Sequence, residues 1–336
     1  MGTSVLYVSC ADSGEIAIFG LDDAGALAPL QRLAVGPQAM PMAVGPDRRF
    51  LYVALRSPPY AVVSMAIDAR DGRLAIIGTA PLPDSMAHLA LDRLGRTLFA
   101  ASYPGHKLSV SPIGDDGVAG APVNVLPTGR NPHAILVDPS NRHVFVTQLG
   151  DDALMALRFD AASRQIVPDR SRTWVARPGA GPRHLVLHPR GRFVYVLNET
   201  DATVDVLAFD PEAGTLTLAQ TVSSLTEAFA GQPWAADIHV RSDGRFLYTS
   251  ERTSSTLATF AVSDDGDRLT LLGHAATEAQ PRGFGIDPSG RWLVAVGQRS
   301  HGLTLYAVDA ASGRLEPRLT QAVGRNPNWV EIASLS

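Results

Sequence analysis

The sequence predicts an all-β fold, a seven-bladed β-propeller with four-stranded antiparallel blades, and three observations carry that expectation. An acidic turn closing a hydrophobic run recurs seven times, with aspartates at Asp22, Asp68, Asp115, Asp160, Asp210, Asp264 and Asp309. The spacings of 46, 47, 45, 50, 54 and 45 residues match the period of a four-stranded propeller blade. In phase with these turns, a basic residue precedes an aromatic or apolar pair at Arg49, Arg96, Arg142, Arg192, Arg245 and Arg291. Finally, the chain ends complement each other: "VLYVSC" at 5–10 reads as a second strand lacking its first, and "NPNWVEIA" at 326–333 supplies one.

Each copy reads in the same order. An apolar stretch such as "HAILVD" or "HLVLHP" forms the first strand. A Pro, Gly or Asp turn follows, and the β-branched and aromatic run after the arginine forms the second. A third stretch ("LMALRFD", "VDVLAFD", "LTLYAVD") runs into the acidic turn, and a fourth leaves it. Asp-Gly at 71–72, 116–117 and 265–266 supplies the positive φ of tight hairpins, whereas the copy at Asp160 lacks the glycine and is expected to use a longer loop. The seven aspartates are therefore read as turn formers. Both termini build the last blade, which pairs edges that an open array would expose.

No linker, charge run or low-complexity stretch interrupts the repeat, so residues 1–336 are read as one domain. A hydrophobic content of 45% suffices for a core between radially packed sheets. The sequence has no apolar run of transmembrane length and no basic, cleavable start, so a soluble cytoplasmic protein, a monomer or weak homo-oligomer without a membrane partner, is expected. Cys10 is the single cysteine and reads as a small core residue. A net charge of −4 argues against a nucleic-acid partner. Gly-rich phosphate loops, Gly-x-Ser-x-Gly, Cys-x-x-Cys and His-Glu-x-x-His are absent, so neither a cofactor nor a metal is expected.

What remains is a site assembled from loops of several blades. Residues leading into first strands and residues leaving second strands meet at one end of the ring, because those strands run antiparallel. Leading in are His88, His133, Arg183, His184, Trp234, Asp237 and Arg282; leaving are Asn198, Glu199, Glu251, Arg252, Gln298, Arg299 and His301. The copies vary here and repeat at the opposite end, which marks this end as functional. Arg183 and Glu199, sixteen positions apart in one blade, are expected to face each other. A solvated rim salt bridge is the plainer reading of that pair, and satisfaction of loop carbonyls is the plainer reading of each histidine. His143 and His188 fall at the opposite end, and His239 reads as a packed residue of an inner strand.

The motifs "GAGPRHLVLHP", "FVYVLNE", "WAADIHV.SDGRFLY", "TE.QPRGF.ID.SG" and "AVGQ.SH...Y" closely resemble, in order and spacing, the seven-bladed propeller lactonases. That family holds 6-phosphogluconolactonases and carboxy-muconate cyclases. The resemblance spans almost the whole chain, is specific in the second half and is weaker around 56–62 and 150–175. It implies a cytoplasmic, metal-independent enzyme of the pentose phosphate pathway that opens 6-phosphoglucono-1,5-lactone. By motif position it points to His133, Arg183, Glu199 and Arg282 as the residues implicated in catalysis.

Ring-ester hydrolysis needs an activated water, a partner for the carbonyl oxyanion and, for this substrate, a grip on phosphate. Glu199 is expected to be the general base, with His133 as the alternative base or as proton donor to the ring oxygen. Arg183 is expected to stabilise the oxyanion, and Arg282, with His184 or Arg252, to hold the phosphate. His88, Asp237 and Gln298 complete the expected substrate-binding set. A carboxy-muconate cyclase would use nearly the same groups, and a non-enzymatic binding platform is the third reading.

Overall fold

A computed structural model describes residues 4–167 and 172–335. The strands form seven antiparallel sheets: blade 1 (39–81), blade 2 (88–127), blade 3 (132–175), blade 4 (182–223), blade 5 (235–276), blade 6 (281–322) and blade 7 (4–34 with 327–334). Blade 3 has a fifth, two-residue strand, Trp174–Val175, paired against Ala153–Asp160. First strands of successive blades pack against each other all the way round, and the contact between Pro327–Ser334 and Ala39–Val44 closes the circle. As expected, Ser4–Cys10 pairs with Pro327–Ser334, so both termini complete one blade.

Burial follows strand position. Second strands such as His143–Gln148 and Phe193–Asn198 are buried at every residue, whereas the outer strand Thr215–Ser223 alternates between exposed and half-buried. This is why second strands read as unbroken apolar runs and outer strands do not. Seven hydrophobic clusters fill the seven seams between blades. At the closing seam, Val5, Tyr7 and Ile16 of blade 7 meet Met42, Leu51 and Met65 of blade 1. Cys10 lies in the seam between blades 6 and 7, fully buried, and burial pushes its thiol up to about 12. No helix among the described residues is long and apolar enough to cross a membrane.

The repetitive polar residues stitch neighbouring blades. Tyr7, Tyr52, Tyr195 and Tyr248 donate from their hydroxyls to the carbonyls of Gly72, Gly117, Gly266 and Gly313 in the next blade, at 2.9, 2.9, 2.8 and 2.8 Å. Arg142 pairs with Glu212 at 2.7 Å, and Arg291 with Asp23, each reaching the acidic turn of the following blade. Asp22, Asp68, Asp160, Asp210 and Asp309 accept backbone N–H groups within their own turns. At the other two copies the role shifts by one residue, to Asp116 (from Val118 N–H) and Ser263 (from Arg268 N–H). Nor does the turn after Asp160 need a longer loop. Arg164 takes the left-handed conformation (φ 56°) that Gly214 takes (φ 70°) in a turn of the same length, a conformation open to a non-glycine residue at modest cost.

Candidate functional site

Two backbone positions, repeated from blade to blade, build the site. The first lies at the start of the first strand, where the register slips in every blade but blade 2. Pairing jumps from Pro132 to Ile135, Pro182 to His184, Ala235 to Ile238 and Pro281 to Gly283. Just before three of these strands stands a left-handed residue, Asn131, Gly181 or Gln280, followed by a proline, which has no N–H to give the ladder and suits a strand's first position. A bulge releases side chains from strict alternation and re-aims them; the bulged residues include His133, Arg183, Asp237 and Arg282. The second position is the first residue after a second strand, tied back by its N–H to the residue preceding the first strand. Arg56 donates to Gln38, Glu199 to Gly181, Arg252 to Trp234 and Gln298 to Gln280, at 3.1, 2.7, 3.1 and 3.1 Å.

These positions converge on a cluster of guanidinium groups around one carboxylate. Arg183, 1% exposed, donates from Nε to Glu199 Oε2 at 2.7 Å, and Arg252 donates from Nη2 to the same oxygen at 2.8 Å. Arg183 also reaches the Ala236 carbonyl, while Arg252 donates to the carbonyls of Trp234 and Ala235 and stacks 3.8 Å above the Trp234 ring. Burial pushes the Glu199 carboxyl up, but Arg183 and Arg252 outweigh it and hold Glu199 below the usual range, hence ionised. Glu199 Oε1 makes no hydrogen bond among the described residues. Arg282 has no carboxylate partner among them, and its Nε is buried and unpaired. Burial, then Arg183, Arg252 and Arg56, push the Arg282 guanidinium well below its ordinary value. Burial and the neighbouring Arg183 likewise bring Arg252 down to about 9.

Beneath the arginines lies an aromatic tier. His184 touches His133 (ring centroids 5.1 Å apart), His88 (5.5 Å) and Trp329 (5.8 Å), and Tyr103 packs edge-on against His133. His184 Nδ1 lies 2.7 Å from Asp237 Oδ1, and His239 Nε2 lies 3.2 Å from Asp237 Oδ2. Burial and nearby cations depress all three upper imidazoles, His184 to about 4, His88 to about 3 and His133 well below 6.5, so each is neutral at pH 7. Burial opposes charge on His239 too, but Asp237 and Glu331 raise it above its usual value. A cavity of about 360 Å³ follows the axis below this tier, lined by His88, His184, Asp237, His239, Trp329 and Glu331 and reaching Pro46, Asp92 and Arg93 towards the opposite end.

The residues expected to form one pocket thus occupy two levels: Arg183, Glu199, Arg252 and Arg282 in the charged cluster, with His133 at the junction, and His88, His184 and Asp237 below. Of these residues, His88, His184 and Asp237 line the cavity, and Arg183, Glu199, Arg252 and Arg282 do not. Gln298 donates to Asn326 at 2.8 Å across the seam between blades 6 and 7, and no hydrogen bond among the described residues carries it to the cluster. His239 lines the cavity and engages Asp237; it is not simply packed. His143 and His188 do lie at the opposite end, against the turn glycines Gly214 and Gly244. Sequence reasoning missed Arg56, Tyr103 and Trp329. Arg56 and Tyr103 directly follow the second strands Phe50–Leu55 and Thr97–Ser102, as Glu199 follows Phe193–Asn198, so alignment of the copies held the signal.

Comparison with known proteins agrees with the fold. Residues 5–332 match the model of a family described as "Lactonase, 7-bladed beta-propeller". The chain is 43% identical to a 6-phosphogluconolactonase of Serratia proteamaculans over 328 residues, covering 98% of each protein. It is 42% identical to the 6-phosphogluconolactonase of Pectobacterium carotovorum over 331 residues, covering 98% of this chain and 99% of the relative. Among solved structures, the periplasmic gluconolactonase of Pseudomonas aeruginosa superposes with a TM-score of 0.92 over the whole of both chains at 26% identity. The chain belongs to the seven-bladed β-propeller lactonase family.

Proposed function

We propose that this protein hydrolyses 6-phospho-D-glucono-1,5-lactone to 6-phospho-D-gluconate. One observation carries the reading: Arg183 and Arg252 share a single carboxylate, Glu199, while Arg282, with a buried unpaired Nε, and Arg56 have no carboxylate partner among the described residues. A buried surplus of positive charge is costly unless an anion completes it, and a phosphorylated lactone supplies one. The relatives' names, at 40–43% identity over nearly the full length, support the same substrate.

Glu199 suits the general-base role. Two arginines fix its Oε2, leaving Oε1 to take a proton from water as the water oxygen attacks the lactone carbonyl carbon. Arg183 Nη2, which makes no hydrogen bond among the described residues, is the donor for the carbonyl oxyanion. As the bond to the ring oxygen breaks, that oxygen takes the proton back from Glu199, and the new carboxylic acid ionises to release one proton. His133 fits poorly as the acid, because its environment keeps it neutral; it stands as the alternative base. His184 is likewise a neutral neighbour and a weak phosphate ligand, so the phosphate falls to Arg282.

The reaction belongs to the pentose phosphate pathway, and a cytoplasmic location is the reading that fits it. One ring supplies every group, so 1–336 acts as a single unit and a monomer suffices. A dehydrogenase-coupled assay comparing the phosphorylated lactone, gluconolactone and a carboxy-muconate tests the proposal against the spontaneous rate. Preferred turnover of the phosphorylated lactone is expected. Turnover of the muconate alone assigns a cyclase instead, and turnover of none, with a protein ligand retained, assigns a binding platform.

A further inference from the structure

The two poles of the proposed substrate differ. The carbonyl lies at one end of the molecule and the phosphate dianion at the other, so a site that recognises both needs two separate anchors. Glu199 divides the arginines in this way: it neutralises Arg183 and Arg252 through 2.7 and 2.8 Å ion pairs, and no hydrogen bond or ion pair among the described residues joins it to Arg282 or Arg56. Arg282 brings a buried, unpaired Nε to the cluster. Arg56 comes from blade 1, across the ring from blade 4, and its first contact fixes rather than neutralises it. Its Nε donates to Ser85 Oγ at 3.0 Å, its Nη1 rests 3.8 Å from the Met40 sulfur, and its Nη2 has no partner among the described residues. No carboxylate pairs with it there.

We infer that Arg56 is a specificity residue for this site: with Arg282 it forms the phosphate anchor, opposite the carbonyl end held by Glu199, Arg183 and Arg252. The inference rests on the lactonase reading and adds to it a residue and a division of labour. A guanidinium whose Nε is pinned by a serine presents its remaining N–H groups in a fixed plane, the geometry that suits phosphate oxygens. Ser85 is therefore a positioning residue for Arg56.

Arg56→Gln and Arg56→Lys separate this role from a structural one. With 6-phosphogluconolactone, KM should rise about 10- to 100-fold in Arg56→Gln, the loss expected for one charge-assisted contact, and Arg56→Lys should recover part of it. With unphosphorylated gluconolactone both variants should stay within about 2-fold of the parent. Equal losses on both lactones, or no loss on either, would overturn the assignment. Titration with inorganic phosphate, followed calorimetrically, keeps the test independent of turnover. If the parent protein hydrolyses neither lactone, the functional reading fails. In that event, weaker phosphate binding by Arg56→Gln still supports the anchor, and unchanged or absent binding removes it.

Discussion

Replacing Glu199 by glutamine is the most informative perturbation of this protein, because stability and chemistry respond to the same atom through different terms. Glu199 Oε2 is the shared acceptor of Arg183 and Arg252, whose side chains are 1% and 3% exposed. The amide keeps the shape and one acceptor but removes the charge, leaving two buried guanidinium groups uncompensated beside Arg282 and Arg56. Breaking a buried ion pair from one side costs about 3–5 kcal/mol. The retained acceptor argues for the lower end, about 3 kcal/mol, which lowers Tm by about 4 °C in a chain of this size. If Glu199 is also the base, kcat should fall about 10²- to 10⁴-fold, far more than so small a loss of stability can produce at 25 °C.

The pH dependence sharpens the test. Glu199 is held below its unfolded value, so its contribution to stability is fully present above the unfolded carboxylate pKa, about 4.3, and is lost as pH falls through the lower folded value. The difference in Tm between parent and Glu199→Gln should be flat between about pH 6 and 8 and shrink in acid. The assay is thermal unfolding across pH beside initial rates on 6-phosphogluconolactone, corrected for spontaneous opening. Near-full activity in Glu199→Gln, with activity abolished in His133→Ala, would refute the assignment and move the base to His133.

Other expected outcomes follow from the same geometry. His88 and His184 sit at about 3 and about 4, so folding favours their neutral forms. Their stabilisation is present above the unfolded value of about 6.5 and is lost as pH drops below it, with His239 contributing in the opposite sense; a Tm series from pH 8 to 4 reads this. Tyr195→Phe removes the 2.8 Å bond to the Gly266 carbonyl across a blade seam, and should cost about 1 kcal/mol in chemical denaturation while leaving kcat unchanged. Gly72 combines φ 77° with a would-be Cβ 2.3 Å from Val5, so Gly72→Ala should loosen the closing seam, with a Tm loss larger than that of Tyr195→Phe.

The fold was legible because its signals are local and repeat: a turn aspartate, an arginine before an aromatic pair, and two half-blades at the termini. The Arg183–Glu199 contact was legible because both residues occupy marked positions in one copy. The partner of His184 was not. Asp237 lies 53 residues away in the next blade, and no spacing within a repeat reveals a bond across a seam. Arg56 escaped because the run after it, "SPPY", breaks the pattern that marks the same position in other copies. The bulges have a local trace in the sequence. Asn131, Gly181 and Gln280 each precede a proline, and each proline precedes a residue of the charged site or its junction, His133, Arg183 or Arg282.

That trace explains how a repetitive scaffold carries a non-repetitive site. Strict alternation along a first strand would send successive side chains into one seam and then the other, where apolar packing excludes charge. A bulge at the strand's mouth releases one or two residues from that constraint without disturbing the register below it. In every blade but blade 2 the first residue after the second strand is tied to the same spot by a backbone bond, so each of these blades offers two independently variable positions at the channel mouth. In blades 4, 5 and 6 these positions hold Arg183, Glu199, Arg252 and Arg282; in blade 3 the bulge holds His133, and in blade 1 the second position holds Arg56. The turns at the other end cannot vary in this way, because they carry the bonds that join one blade to the next.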